Sequence, residues 1–291
     1  MRWIACLVFS LKVWAQPAVS DLLEARLLDA LAGVEKSLDG VLGIGIVDLE
    51  TGWMTGLHLD TEFPQASSIK IPIMLEVFRA ARAGRLRMVD RIRLEPSDLV
   101  GGSGKLQEEL KRGPMERSVR ELVELMIRES DNVATNKLIG LVGMDAVNRT
   151  LDGMGLLRTR LRRRMMDAAA AARDEENVST PREMARLAEL LYRGQAVDEA
   201  ASREMIEIMK AVRASMRKAV PPEVPVASKP GDLPGVRCET GIVFLPSRPF
   251  VLSVMGAYLE EKTDPVDAVT RIVYRHFERL ARSNRYGHRV R

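Results

Sequence analysis

Residues 63–82 read FPQASSIKIPIMLEVFRAAR. Ile69, Ile71, Ile73 and Met74 have the apolar character of a buried helix start, yet Lys70 stands among them, three residues after Ser67. A spacing of three places two helical side chains on one face, a turn apart. A serine hydroxyl is a weak nucleophile until a base takes its proton. A lysine can be that base when burial and neighbouring donors lower its pKa. The helix start adds free backbone N–H groups that stabilise an oxyanion. Pro72 removes one backbone donor where the first turn tolerates it best. Taken alone, the spacing equally fits a capping serine and a lysine that snorkels to water.

The histidines sharpen the choice. His58 falls in a strand pattern, His276 in the last helix and His288 in a basic tail, and none has the surroundings of a triad base. A serine hydrolase built from this chain needs another base, and Lys70 fits.

Two further stretches carry polar groups with matching chemistry. In ELMIRESDNVATNKLIGLVG, Ser130-Asp131-Asn132 interrupts two helical patterns. Ser130 suits a proton relay between Lys70 and a leaving nitrogen. The Asn132 carboxamide suits a substrate amide and a lysine at once. Asp131 suits local backbone hydrogen bonds that fix the turn. A plain helix junction would use the same residue types. In PVASKPGDLPGVRCETGIVFL, Lys229 ends a strand pattern ahead of Pro230-Gly231. Lys229 there can bind a substrate carboxylate and lower the proton affinity of Ser130. Gly231 leaves room for substrate along the strand edge, and the N–H of Asp232 can join that of Ser67 as an oxyanion donor. A charged strand end before a turn is the plain alternative.

The periodicity orders the rest. Asp21–Leu38 has helical spacing, with Asp21 and Glu24 as an N-terminal cap. VLGIGIVDLETGWMTGLHLD reads as two strands about a turn near Glu50–Gly52. From Ser67 to Met216 the pattern is mostly helical, with starts at Ser118/Glu121 and Thr180-Pro181/Glu183. PVASK, GIVFL and FVLSVMGAYL read as three strands, and Asp264-Pro265 opens a final helix. Arg158–Asn177, with its run of alanines at 168–172, has no clean period and reads as a long surface loop. The expected class is α+β. Five strands from both chain ends form one antiparallel sheet covered by the terminal helices, and a central all-helical lobe leaves a cleft between lobes.

In the order S-x-x-K, S-D-N, K-x-G, the three elements resemble those of the class A serine β-lactamase family. The likeness runs from about Asp21 to Leu280. It takes in Phe63 before Ser67, the Gly101-Gly102-Ser103-Gly104 loop, VATN after SDN, and Thr180-Pro181. The resemblance implies a penicillin-recognising two-lobed fold, with an α/β lobe at 20–62 and 217–283 and a helical lobe at 63–216. It implies an acyl-enzyme on Ser67, no metal or cofactor, and a monomer acting on a small β-lactam or peptidoglycan-like amide. Related serine amidases, esterases, D-Ala-D-Ala peptidases and penicillin-binding sensors that do not turn over share the motif set.

Two departures stand out. The hydroxyl residue of K-T/S-G is Pro230 here, which also lacks a backbone donor. A true Thr240-Gly241 follows Glu239 rather than a lysine, so Lys229 is retained. The glutamate that activates the deacylating water falls, by count, at Met165 or Met166. Asp167 is the nearest acid and the candidate deacylation residue, provided it comes within hydrogen-bond reach of the water.

The bulk properties set limits. The chain has 291 residues, 46% hydrophobic and 29% charged, enough for a sizeable core. Residues 1–15 resemble a cleaved secretory signal, which implies a periplasmic or secreted protein. Removing Arg2 and Lys12 lowers the net charge from +4 to +2, which disfavours a nucleic-acid partner, as do aromatics at only 4%. Cys238 is then the one cysteine, so no internal disulfide forms. No run reaches the ~20 apolar residues of a membrane span. The five arginines of RTRLRRR, 158–164, read as a salt-bridged loop, and 284–291 as a solvated basic tail.

Overall fold

The structure is a computed structural model that describes residues 18–260 and 263–290. The leader expected at 1–15 lies outside the described residues. Helix α1 (Val19–Lys36) leads into strands β1 (Val41–Asp48), β2 (Met54–Leu57) and β3 (Phe63–Pro64). A 3-10 turn at Ala66–Ile69 then runs into α2 (Lys70–Arg82). Next come β4 (Arg91–Leu94), α3 (Leu106–Leu110), β5 (Met115–Ser118), α4 (Val119–Arg128), α5 (Asn132–Val142) and α6 (Met144–Gly153). A short α7 (Ala168–Ala171), β6 (Val178–Ser179), α8 (Pro181–Tyr192), α9 (Glu199–Lys210) and α10 (Ser215–Ala219) complete the middle. Strands β7 (Val226–Leu233), β8 (Val236–Val243) and β9 (Phe250–Ala257) and helix α11 (Pro265–Ala281) close the chain.

The five long strands form one antiparallel sheet in the order β2-β1-β9-β8-β7, so both ends of the chain build it, as expected. Alternation along β1 divides its side chains between two cores. Leu42, Ile44 and Ile46 join Leu27 and Leu31 of α1 and Val269, Val273 and Phe277 of α11. Phe250 and Phe277 stack there with centroids 4.4 Å apart. On the opposite face α8 lies so close that β1 has glycines where it passes. A Cβ at Gly43 would come within 2.5 Å of the Phe63 ring and of Pro181. The second core fills the helical lobe from α2 to α9.

Local signals read in the sequence set the starts of α4, α8 and α11. Ser118 Oγ accepts from the Glu121 N–H at 3.2 Å, and Glu121 accepts back from the Ser118 N–H at 2.6 Å. Thr180 Oγ1 caps α8 through the Glu183 N–H at 3.2 Å. The carboxylate of Glu183, however, leaves its own helix to accept from the N–H groups of Arg158 and Thr159. It thereby moors the start of the 158–177 loop.

Several expectations need correction. Helix α1 begins two residues before Asp21, whose carboxylate reaches back to the Ala18 N–H at 2.9 Å instead of standing at the cap. His58 follows β2 in a left-handed conformation rather than lying within a strand. Lys229 does not end its strand, since β7 continues through Pro230 and Gly231 to Leu233. The reason is position: β7 is an edge of the sheet, where a missing N–H need not break the ladder. The 158–177 segment is more than a surface loop, because it buries Thr159, Leu161, Arg163, Met165 and Asn177 and contains α7. Residues 283–290 turn back on themselves through a Ser283–Arg289 bridge. Among the described residues no helix is long and apolar enough to cross a membrane.

Candidate active site

Ser67 lies in the 3-10 turn, directly after Ala66, which holds a left-handed φ of 45°. Lys70 is the first residue of α2 and is fully buried. Its Nζ lies 3.0 Å from Ser67 Oγ, 3.0 Å from Ser130 Oγ, 2.8 Å from the Ser130 carbonyl and 2.9 Å from Asn132 Oδ1. Burial, and after it the charge of Lys229, holds the Lys70 ammonium well below the ordinary lysine range, with Asp131 opposing.

The turn before α5 presents Ser130 with a φ of 53°, a conformation that L side chains adopt rarely. Asp131 secures this turn as the sequence suggested. Its Oδ1 accepts from the Ala134 N–H and its Oδ2 from the Leu106 N–H, both at 2.9 Å. The glycine loop closes over it. Gly104, at a φ of +116°, passes so near that a Cβ there would come within 2.2 Å of Asp131 Oδ2. The Asn132 N–H donates to the Ser103 carbonyl at 3.0 Å and its Nδ2 to the Gly101 carbonyl at 3.3 Å.

Strand β7 supplies the third side. Lys229 Nζ donates to Ser130 Oγ at 3.1 Å and to the Pro230 carbonyl at 2.9 Å. Burial pushes Lys229 down to about 8, with Asp232 and Glu239 acting against the fall. Glu239 is itself buried beneath the strand. It accepts from Ser228 Oγ at 2.6 Å and from the Met216 N–H at 3.1 Å, and burial raises its carboxyl to about 7. Gly231 is needed for space, since a Cβ there would lie 2.8 Å from the N atoms of both Ser67 and Ser68. Ser67, Lys70, Ser130, Asn132 and Lys229 therefore converge, with Gly231 packed against the turn that carries Ser67.

Ser67, Asn132, Asp232 and Asp167 line one cavity of about 350 Å³. Its far wall is the 163–171 segment, and there the sequence reasoning missed the decisive residue. Asn136, one turn beyond Asn132, holds Met165 by both backbone groups. Its Oδ1 accepts from the Met165 N–H at 2.8 Å and its Nδ2 donates to the carbonyl at 3.1 Å. Met165 is buried against the cavity, and Met166 follows in a left-handed conformation. Asp167 is exposed, and its Oδ1 caps α7 through the Ala170 N–H at 2.9 Å. Asn177 pins the other side of the loop, accepting from the N–H groups of Arg162 and Arg163. The arginine run closes the loop by pairing: Arg160 with Asp152 at 2.5 Å and Arg163 with Glu176 at 2.8 Å. Among the described residues no group of His, Cys, Asp and Glu is arranged to hold a metal ion.

The geometry has close parallels. The profile of the "Beta-lactamase enzyme family" matches residues 25–277. A beta-lactamase of Rhodobacter capsulatus is 29% identical over 188 residues, which span 63% of this chain and 62% of that protein. Beta-lactamase ROB-1 of Haemophilus influenzae is 26% identical over 253 residues, 84% of this chain and 81% of its own length. The crystal structure of a beta-lactamase from Sphaerobacter thermophilus DSM 20745 superposes with a TM-score of 0.80 at 30% identity, covering 88% of this chain and 97% of that one.

Proposed function

This chain belongs to the beta-lactamase enzyme family, and we propose that it is a serine hydrolase opening β-lactam rings through an acyl-enzyme on Ser67. The observation that carries this reading is the placement of a fully buried Lys70 amine 3.0 Å from Ser67 Oγ. Once neutral, that amine has two N–H bonds and one lone pair. The Ser130 carbonyl and Asn132 Oδ1 are pure acceptors and take the two N–H bonds. The lone pair is left for the hydroxyl proton of Ser67.

Ser67 then attacks the lactam carbonyl as Lys70 receives its proton. The developing oxyanion meets the N–H of Ser67 and that of Asp232. Alternation along β7 points the Asp232 N–H the same way as the Pro230 nitrogen, off the sheet edge. Ser130 passes a proton from Lys70 to the ring nitrogen, and Lys229 favours each anionic stage of that relay. Asn132 and Lys229 orient the substrate. Pro230 contributes no hydroxyl for a substrate carboxylate, so Lys229 carries that contact by charge alone.

Deacylation is the slow half of this cycle. Met165 occupies the wall where a water-activating carboxylate is expected, and the Asp167 carboxylate is committed to the cap of α7. The leader-like residues 1–15 support export. The deciding experiment is incubation of the purified chain with a chromogenic cephalosporin, with intact-protein mass spectrometry in parallel. Ring opening together with a transient adduct on Ser67, both lost in Ser67→Ala, is the expected outcome. Ring opening retained in Ser67→Ala overturns the reading.

A further inference from the structure

Away from Ser67, the distal half of α2 and one face of α6 enclose a second cavity, of about 380 Å³. Its floor is Glu76, a carboxylate only 2% exposed. Both oxygens of Glu76 are engaged. Oε1 accepts from Arg85 at 2.7 Å, and Oε2 accepts from the Thr150 hydroxyl at 2.6 Å. One guanidinium and one hydroxyl thus answer the burial of that charge. Two more guanidiniums line the same space. Arg79 Nε lies 3.8 Å from Glu76 Oε2, at the edge of ion-pair range. Arg149 has no ion pair or hydrogen-bond partner for its side chain among the described residues. Three arginines over one glutamate leave a surplus of two positive charges on the cavity wall. The acids of α6 do not cancel it. Neither Asp145 nor Asp152 lines the cavity, and Asp152 is bound to Arg160 at 2.5 Å. Helix α6 turns Ala146, Arg149, Thr150 and Gly153 to this side at helical spacing. The two small residues open the space, since a Cβ on Gly153 would meet nothing within 4 Å. Arginines that served Glu76 alone would need neither the surplus charge nor the room between them.

We propose that this cavity binds a phosphoryl group, carried by a phosphomonoester or diphosphate of at least two negative charges. A guanidinium presents a planar fork of N–H donors that matches paired phosphate oxygens. Arg79 of α2 and Arg149 of α6 offer such forks from the two helices, and Arg85, held by Glu76, adds its charge. A monocarboxylate would neutralise only half of the surplus. Arg79 and Arg85 are 45% and 51% exposed, so the ligand enters directly from solvent and its attraction is screened by salt. The site is separate from the one at Ser67. Glu76 lies six residues along α2 from Lys70, about 9 Å of helix.

The test titrates the intact chain with pyrophosphate and with inorganic phosphate by calorimetry at constant ionic strength. Saturable binding of pyrophosphate, tighter than that of phosphate, is expected, with affinity falling as sodium chloride is raised. Arg79→Gln and Arg149→Gln are each expected to weaken it by at least ~10-fold. Arg149 has no partner to lose, so its variant tests the site without disturbing the fold. Arg275→Gln, at an exposed arginine of α11 outside the cavity, and Lys229→Gln are expected to leave it unchanged. Pyrophosphate that fails to saturate, or that binds Arg149→Gln as well as the parent, overturns the site. Binding lost in Lys229→Gln but kept in Arg149→Gln places the anion beside Ser67 and overturns it equally. Sedimentation with phosphatidylglycerol vesicles separates the two sources of the group. Retention that pyrophosphate competes away and Arg149→Gln weakens assigns it to a lipid head. Pyrophosphate binding without retention assigns it to a soluble compound.

Discussion

Asn136 grips Met165 from both sides, accepting from its N–H at 2.8 Å and donating to its carbonyl at 3.1 Å. One helical side chain on α5 thus sets the depth of the cavity wall facing Ser67. Asn136→Ala leaves two buried backbone groups unpaired, at about 1–3 kcal/mol each. Thermal unfolding is expected to shift down by several degrees, and hydrolysis of the Ser67 adduct to change while acylation is largely retained. Equal loss of acylation in a variant of normal fold would contradict this division.

Lys70→Met removes the proposed base but keeps an unbranched chain in a fully buried place. Acylation by benzylpenicillin is expected to fall by at least ~10²-fold. Stability is expected to change little, because relief of the desolvated amine is offset by the Ser130 carbonyl and Asn132 Oδ1 losing its N–H bonds. Stopped-flow acylation and calorimetry on one preparation separate the two effects.

The pH dependence of acylation follows from the two lysines. Lys70 acts as the neutral amine, so activity rises as its proton leaves. Lys229 acts as the cation and titrates at about 8, so activity falls as pH climbs through that value. The two sites face each other and the measured limbs belong to the pair. Lys229→Arg keeps the charge at all accessible pH, so the alkaline fall is expected to vanish even if the maximum is lower.

Glu239 links the site to stability. Its folded pKa is raised from 4.5 to about 7, so between those values the folded chain holds a proton that the unfolded chain releases. Stability from this group is therefore greatest below pH ~4.5 and is lost as pH rises toward 7, by on the order of 3 kcal/mol. His276 works in the opposite sense. Burial lowers it from 6.5 to about 4, so its contribution falls as pH drops through that interval. Glu239→Gln leaves His276 unopposed, so stability is expected to rise more steeply with pH between 5 and 7 in the variant than in the parent in denaturant titrations. A parallel curve in parent and variant would exclude the assignment.

Gly43→Ala tests the seating of α8 on the sheet. The added methyl would meet Pro181 and the Phe63 ring at 2.5 Å, and overpacking of this kind costs about 1–3 kcal/mol. A lowered denaturation midpoint with an unchanged slope is expected.

What the sequence revealed, it revealed through local rules. Spacing placed Lys70 under Ser67, capping residues marked α4, α8 and α11, and alternation marked the long strands. Lys229 and Ser130 were legible as chemistry, but their 3.1 Å meeting spans 99 residues of chain that no local pattern encodes. The left-handed turn at Ser130 was hidden because serine carries no mark of that conformation. The sequence pattern of β7 stops at Lys229 because proline signals a break unless its strand is known to be an edge. Asn136 looked like one more polar position on a helix. Its importance lies in the backbone it holds 29 residues away.

The central position of β9 constrains how the polypeptide comes to be made. β1 leaves the ribosome ahead of the helical lobe, yet its long neighbour is completed only at Ala257. In between, the whole helical lobe must appear, with β1 paired only to β2. The sheet can therefore close only once the chain through Ala257 has been made. Until then its apolar strand is open to a chaperone. Contacts of such long sequence separation also slow the final closure. A truncated product ending before Phe250 is expected to accumulate with a collapsed helical lobe and no active enzyme.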